Sequence, residues 1–250
     1  MKYTLGIDVG GTKIAAGLVD SNHKVSKVII IPTSQTDLLG QLENLITSYT
    51  GFEAIGLGLP GLVKPNGEVV RLPNILKFKH KNLRKYLNNK FKVPVNVVND
   101  AKAFALAEAL IGSGKKVKTL AGVILGTGIG VGLVSNKKIY FGRNILAGEI
   151  GGVEMPDGRT LEQQVKSSGP FKNAKQAHKY LRSLVSFIVQ SVDPDMIVVG
   201  GGWSTLPGMQ QEFNQILRTL KKHAIKTKVL ISKLKHAGII GAVLALKAER

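Results

Sequence analysis

The sequence predicts an α/β fold made of two related domains with mixed sheets. Two observations carry that expectation. Residues 11–19, GTKIAAGLV, recur as residues 126–134, GTGIGVGLV, with Gly, Thr, Ile, Gly, Leu and Val at the same spacing. Repetition at such a distance suggests duplicated units. In both halves, short apolar runs precede stretches of helical periodicity, the order expected of sheets covered by helices.

The leading stretch is 5–20, LGIDVGGTKIAAGLVD. Ile7 and Val9 alternate around Asp8, Gly10-Gly11-Thr12 breaks the run, and 14–19 resumes it, so the stretch reads as strand, tight turn and strand. Adjacent glycines let backbone N–H groups approach an anion, because no Cβ stands in the way. Asp8 beside the turn could hold a magnesium ion, directly or through water. Taken alone, the stretch reads as readily as an ordinary β-hairpin with an incidental Asp. The second copy favours the first reading, since two phosphate-cradling hairpins facing each other would make a nucleotide cleft.

The remaining elements follow in order. Strands are expected at 3–9, 13–19 and 24–32, an antiparallel meander, and a helix over 37–49 with Leu38, Leu39, Leu42, Leu45 and Ile46 on one face. A buried strand at 54–59 ends in Pro60-Gly61, and Pro65-Asn66-Gly67 marks a hairpin turn. A basic helix over 82–91, a strand at 93–98 and an alanine-rich helix over 101–111 complete the first half. Gly112, Ser113 and Gly114, with two lysines after them, read as a domain junction. The second half repeats the order: strands at 120–125, 130–134 and 139–141, an irregular glycine-rich segment at 147–158, a helix over 174–191, a strand at 196–199 opening into Gly200-Gly201-Gly202, a helix over 210–223, a strand at 229–231 and a last helix over 237–248.

Composition narrows the class. The chain has 250 residues and is 44% hydrophobic, enough for two modest domains with real cores. It has no cysteine, which excludes disulfides, thiolate metal sites and a cysteine nucleophile. No apolar h-region precedes the first strand, and the uncharged run 119–136 has a strand–turn–strand pattern, so a cytoplasmic protein without a membrane span is expected. The net charge of +19 is concentrated in the acid-free stretches 77–92 and 213–248. Such an excess favours polyanions, or reflects a general lysine bias with solvated faces. Nucleic acid is disfavoured, because aromatics are only 6% of the chain and no reader motif is present.

Asp100 closes an expected strand just before a helix, the place where open α/β sheets bind ligands. From the residues alone, Asn99 and Asp100 are either helix caps or a polar pair for catalysis. The motifs together resemble the ROK family of sugar kinases, within the actin-like ATPase superfamily. Its phosphate-1 motif matches Gly6-Ile7-Asp8-Val9-Gly10-Gly11-Thr12-Lys13, its Gly-x-Pro-Gly segment Gly58-Leu59-Pro60-Gly61, and its Pro-Asn element Pro73-Asn74. The Asn-Asp-Ala signature matches Asn99-Asp100-Ala101, with Ala105 and Glu108 following. Phosphate-2 matches Gly126-Thr127-Gly128-Ile129-Gly130, Gly-Glu-x-Gly matches Gly148-Glu149-Ile150-Gly151, and the adenosine-side triplet matches Gly200 to Gly202. Each motif alone is weak, but their common order is specific.

The resemblance implies two actin-like (ribonuclease H-like) domains, 1–112 plus 236–250 and 113–235. It implies a glucokinase-like enzyme transferring phosphoryl from ATP, or polyphosphate, to a hexose 6-hydroxyl, with glucose the first guess. Asp100 would be the base. Gly61, Asn74, Asn99, Asp100, Glu149 and Glu162 would meet the sugar. Asp8, Gly10, Gly11, Thr12, Lys13, Gly126, Thr127, Gly128, Gly200, Gly201 and Gly202 would meet the nucleotide, with magnesium near Asp8. A homodimer is the implied assembly. Two departures stand out. The family follows Gly-Glu-x-Gly with a histidine that binds zinc and sugar, and here that place is Gly152. Its three zinc cysteines are also missing, so no zinc site is expected. The short segment 168–195 resembles the polyphosphate glucokinase branch, which keeps the histidine. A non-catalytic sugar or nucleotide sensor on the same scaffold is the rival expectation.

Overall fold

Alternation in the first strand decides what covers each face of the first sheet. The computed structural model describes residues 2–72, 82–169, 171–220 and 226–248, so Pro73-Asn74 and parts of both basic stretches lie outside the described residues. In chain order the first elements are β1 (Tyr3–Val9), β2 (Lys13–Val19), β3 (Val25–Pro32), α1 (Leu38–Thr47), β4 (Phe52–Leu59), β5 (Leu62–Val63) and β6 (Val69–Arg71). Next come α2 (Leu83–Phe91), β7 (Val95–Asn99), α3 (Asp100–Leu110), β8 (Thr119–Leu125), β9 (Ile129–Ser135) and β10 (Lys138–Ile139). The last are α4 (Leu161–Ser168), α5 (His178–Val192), β11 (Met196–Gly200), α6 (Met209–Leu220), β12 (Lys228–Ile231) and α7 (Ala237–Ala248). Among the described residues, no helix is long and apolar enough to cross a membrane.

The chain divides into two compact units, 1–107 with 235–250, and 108–234. The division falls inside α3, upstream of the glycine-rich 112–114 segment.

The first unit holds a five-stranded sheet of order β3-β2-β1-β4-β7. The β1–β2–β3 meander is antiparallel, and β4 and β7 run parallel to β1. On one face Leu5, Ile7, Val9, Ile55, Leu57 and Leu59 are buried with Leu38, Leu42 and Ile46 of α1 and Leu83 and Leu87 of α2. Asp37 and Asn82 cap these helices through their side chains. The alternate positions are Gly6, Asp8, Gly56 and Gly58, and α7 lies against that face. A Cβ on Gly56 would stand 2.2 Å from the Ala242 carbonyl oxygen, and one on Gly6 2.6 Å from that of Ile239. Glycine on the strands therefore lets a helix lie directly on backbone.

The second unit repeats the plan in the order β10-β9-β8-β11-β12. Here β9 is antiparallel to β8, while β11 and β12 run parallel to it. Val123, Leu125, Val131 and Ile197 form a core with Leu161, Leu184, Ile188, Phe213 and Ile216. The stretch 174–191, read as one helix, begins instead as a 3-10 turn over Ala174–Ala177, with α5 starting at His178. Asn173 caps that turn separately by accepting the Gln176 N–H at 3.2 Å, which sets its geometry apart from α5.

Candidate active site

Three parallel strands of the first unit end side by side. Asp8 of β1 pairs with Gly58 of β4, and Gly58 with Val98 of β7. Asn99 and Asp100 follow at the same edge. A Cβ on Gly58 would stand 3.6 Å from the Asp100 Cα and 3.7 Å from the Asp8 Oδ1. The Asp8 carboxylate and the Asp100 backbone thus flank one glycine at the carboxyl ends of the strands, where open α/β sheets collect ligands.

Asn99 is the helix cap. Its Oδ1 accepts the Lys102 N–H at 2.9 Å, and its Nδ2 donates to the Gly61 carbonyl at 2.9 Å. One side chain thereby fixes both the start of α3 and the loop after β4, where Gly61 has φ +110°. Asp100 opens α3, and its Oδ1 accepts the Ala101 N–H at 2.8 Å. Lys102, one turn in, is only 2% exposed, although a lysine in an alanine-rich helix reads as solvated.

Asp8 lies on the α7 face, and Gly238 in the first turn of α7 comes so close that a Cβ there would stand 2.1 Å from the Asp8 Oδ2. Burial pushes the Asp8 carboxyl up to about 6, against a smaller downward pull from the Lys13 ammonium. Among the described residues, no three His, Asp or Glu side chains gather into a metal cage. Magnesium that travels with phosphates keeps several waters and takes one or two carboxylates. Asp8 supplies one such carboxylate, at a strand end beside the glycine turn.

The turn at 10–13 closes with the Gly10 N–H donating to the Lys13 carbonyl at 2.9 Å. Its other carbonyls are held from one side. Thr33 donates its Oγ1 hydrogen to the Gly10 carbonyl at 2.8 Å and its N–H to that of Thr12 at 3.0 Å, and Gln35 Nε2 donates to that of Gly11 at 3.1 Å. In a trans peptide the next N–H points the opposite way. The N–H groups of Gly11, Thr12 and Lys13 are therefore aimed away from Thr33 and Gln35, as an anion cradle requires. Neither Thr33 nor Gln35 stands out in the sequence, because both lie some twenty positions from the turn they hold.

In the second unit the equivalent turn is one residue shorter, with the Gly126 N–H donating to the Gly128 carbonyl at 3.1 Å. A Cβ on Gly126 would stand 3.9 Å from the Gly202 nitrogen, so this turn and the glycine triplet are neighbours. Gly201 has φ +86°, and a Cβ on it would stand 2.3 Å from the Leu125 carbonyl oxygen. Ser204 and Thr205 donate to the Gly201 and Gly202 carbonyls at 2.7 and 2.8 Å, which fixes the triplet.

Glu162 sits in the first turn of α4, 30% exposed, with both oxygens engaged. Its Oε2 accepts the Ile129 N–H at 2.9 Å, and its Oε1 meets the Lys166 ammonium at 2.7 Å. It buttresses the 126–128 turn from below, a contact that its position in the sequence does not announce. Glu149 is exposed beside Gly148, which has φ +90°. Gly151 packs near Glu162, while a Cβ on Gly152 would meet nothing within 4 Å. Residues 154–167 are held by polar side chains. Asp157 meets Arg159 at 2.6 Å and accepts from Gln164 at 2.9 Å, Arg159 donates to Ser167 at 2.9 Å, and Thr160 and Gln163 form a capping box. The hydrogen bonds from Gln164 and Arg159 lower the Asp157 carboxyl to about 2.

Two mixed sheets of one strand order, each with a glycine turn between its first two strands, define the class as an actin-like α/β protein. The chain belongs to the ROK family, whose profile matches residues 4–172. It is 39% identical over 160 residues to the N-acetyl-D-glucosamine kinase of Vibrio vulnificus (strain YJ016), a match covering 60% of this chain and 52% of that one. The match thus spans about half the length of that relative. Among solved structures, a ROK family glucokinase from Streptomyces griseus in complex with glucose and AMPPNP is 26% identical, with TM-score 0.79 over 96% of this chain and 97% of that one. An inorganic polyphosphate/ATP-glucomannokinase from Arthrobacter sp. strain KM is also 26% identical, with TM-score 0.78 over the whole of both chains.

Proposed function

We propose that the protein is a sugar kinase that transfers the terminal phosphoryl group of ATP to the 6-hydroxyl of a hexose. The Vibrio relative makes N-acetyl-D-glucosamine the first substrate to test, and glucose is the second. The observation that carries the reading is the alignment of Asp8 and Asp100 across Gly58 at three parallel strand ends.

A sugar hydroxyl is a poor nucleophile until a base takes its proton. In this reading the Asp100 carboxylate receives that proton as the new O–P bond forms and the bond to the ADP oxygen breaks. The N–H groups of Gly11, Thr12 and Lys13, with the Lys13 ammonium, hold phosphate oxygens in the first unit. Gly126, Thr127 and Gly128 do so in the second, and Gly200 to Gly202 receive the adenosine side. Gly61, Asn74, Asn99, Glu149 and Glu162 complete the sugar contacts, Asn99 with the donor and lone pair that its two internal bonds leave, and Glu162 with the lone pairs left beside its bonds to Ile129 and Lys166. Magnesium at Asp8 supplies charge neutralisation of the phosphates. Polyphosphate is a second donor, in keeping with the basic stretches and with the name of the Arthrobacter neighbour. The working form in this reading is a cytoplasmic homodimer.

A coupled assay over hexoses and N-acetylhexosamines, with ATP and polyphosphate as donors, tests the reading. Asp100→Asn should lower kcat roughly 10²–10⁴-fold on the best pair while leaving sugar affinity nearly unchanged. Turnover near that of the unaltered protein would remove Asp100 from the chemistry. A second reading, a sugar sensor without turnover, rests on Gly152, which packing does not require to be glycine. Calorimetric sugar binding with no product from any donor would favour it.

A further inference from the structure

The turn joining β9 to β10 contains an unexplained choice of residue. Asn136 and Lys137 both have positive φ, +50° and +65°, and the flanking pair is Lys138 with Ser135. Two-residue hairpin loops of this kind favour Asn-Gly, because a side chain at the second position strains the backbone. Lysine occupies that second position, so its side chain must return something that glycine cannot.

Its ammonium ends inside a ring of main-chain oxygens. Lys137 Nζ stands 2.9 Å from the Ala109 carbonyl oxygen, 3.0 Å from that of Gly114, 2.6 Å from that of Lys115 and 3.1 Å from that of Val117. These carbonyls belong to the end of α3 and the loop after it. Ala109 offers one of the helix's last carbonyls, which have no partner within the helix. The loop is also braced by buried Glu108, which accepts the Ser113 N–H at 2.9 Å and the Ser232 hydroxyl. The Gly114 N–H donates to the Glu108 carbonyl at 2.9 Å.

An ammonium has three hydrogens and here faces four carbonyls, so hydrogen-bond directionality alone does not explain the ring. Four neutral oxygens converging at 2.6–3.1 Å on one positive centre are the surroundings that potassium finds in carbonyl-lined sites, where carbonyls replace its hydration shell. Magnesium and calcium need shorter distances and usually take carboxylates. We propose that the carbonyls of Ala109, Gly114, Lys115 and Val117 form a monovalent-cation site whose resident cation is the tethered ammonium of Lys137. Potassium or free ammonium enters the same ring when that side chain is cut back. The chain thus carries its own cation and holds this loop without depending on the salt around it.

The test is the Tm of Lys137→Ala and Lys137→Gly at constant ionic strength in choline, sodium, potassium or ammonium chloride. In choline or sodium, Lys137→Ala should melt roughly 5 °C below the unaltered protein, since bonds to a charged group are lost. Potassium and ammonium should restore most of that loss along a saturable curve, and the unaltered protein should melt alike in all four salts. Lys137→Gly has the favoured Asn-Gly turn, yet should also melt low in sodium and recover in potassium. A Lys137→Gly protein more stable than the parent in sodium, or an equal response to every cation, overturns the proposal. Should both variants fail to fold, ¹⁵N spectra of the unaltered protein decide. One lysine ammonium signal should persist near neutral pH through slow hydrogen exchange, and its absence overturns the proposal as well.

Discussion

Replacing Asp8 by Asn should make the fold more stable above pH 6 and leave it nearly unchanged at pH 4. The carboxyl ionises near 6 in the folded protein, against 3.8 for a solvated aspartate, and desolvation is the larger cause. The folded state therefore holds the proton more tightly than the unfolded chain does. That contribution to stability is fully present below about pH 4 and is lost as pH rises through about 6. Moving the carboxyl from 3.8 to about 6, at about 1.36 kcal/mol for each tenfold change in proton affinity, corresponds to roughly 3 kcal/mol. Asp8 is partly open to solvent, so about 2 kcal/mol is the working figure. For a chain of this length that moves Tm by roughly 4–8 °C. The measurement is the Tm difference between Asp8→Asn and the parent at pH 4, 6 and 8, in EDTA so that no divalent ion binds the carboxylate. The difference should be small at pH 4 and favour Asn at pH 8, while turnover falls. An Asn protein that is no more stable at pH 8 than at pH 4, relative to the parent, would show that Asp8 is not strained by burial and refute the reasoning.

Gly201→Ala should lower Tm by roughly 10 °C, because a positive φ and a Cβ 2.3 Å from the Leu125 carbonyl together cost about 3 kcal/mol or more; a circular-dichroism melt checks it, and an unchanged Tm would mean the triplet relaxes freely. Gly152→His should be tolerated within about 2 °C, since a Cβ there meets nothing, and should raise sugar affinity by calorimetry. Elemental analysis should find no stoichiometric zinc, and chelators should leave Tm unchanged, because polar side chains already hold 154–167. Asp157→Ala should lower Tm instead, and a chelator-sensitive melt would contradict both statements.

Local chemistry made the strands, glycine turns and caps legible. Ile7 and Val9 around Asp8 act within a few residues, as do Asp37 and Asn82, expected as the first residues of helices and found one position earlier, as their caps. What the sequence hid depends on partners brought from far along the chain. Gly238 and Gly241 look like weak points in the last helix. In the fold they are the places where α7 meets Asp8 and where a Cβ would stand 1.9 Å from the Ala103 carbonyl oxygen. Thr33 and Gln35 carry no signal, and Glu162 is expected at the sugar rather than beneath a turn, because their acceptors and donors belong to turns distant in sequence. Asn99 was legible as either a cap or a sugar contact, and its bonds to Lys102 and Gly61 give it the first role in the fold. Lys137 escaped notice for a different reason: a lysine in a turn is ordinary until its φ is known.

The duplicated hairpins also show how one scaffold supports two kinds of glycine turn. Val9 pairs with Ile14 in the first copy and Leu125 with Ile129 in the second, so four residues bridge one hairpin and three the other. Aligned on their second strands, Lys13 corresponds to Gly128. At that register position the first unit sends out a cation, whose field pulls on Asp8. The second unit leaves the position bare, because a Cβ there would stand 2.6 Å from the Glu162 carboxylate. That carboxylate already takes the Ile129 N–H, which removes one donor from the turn. Both turns offer glycine backbone, but only the first carries a lysine within it, and the Asp8 carboxylate stands at its base. In the proposed kinase reading, the charged groups for phosphoryl transfer therefore come from the first unit. In that reading the second holds phosphate with backbone alone, and the neighbouring Gly200–Gly202 triplet takes the less charged adenosine end.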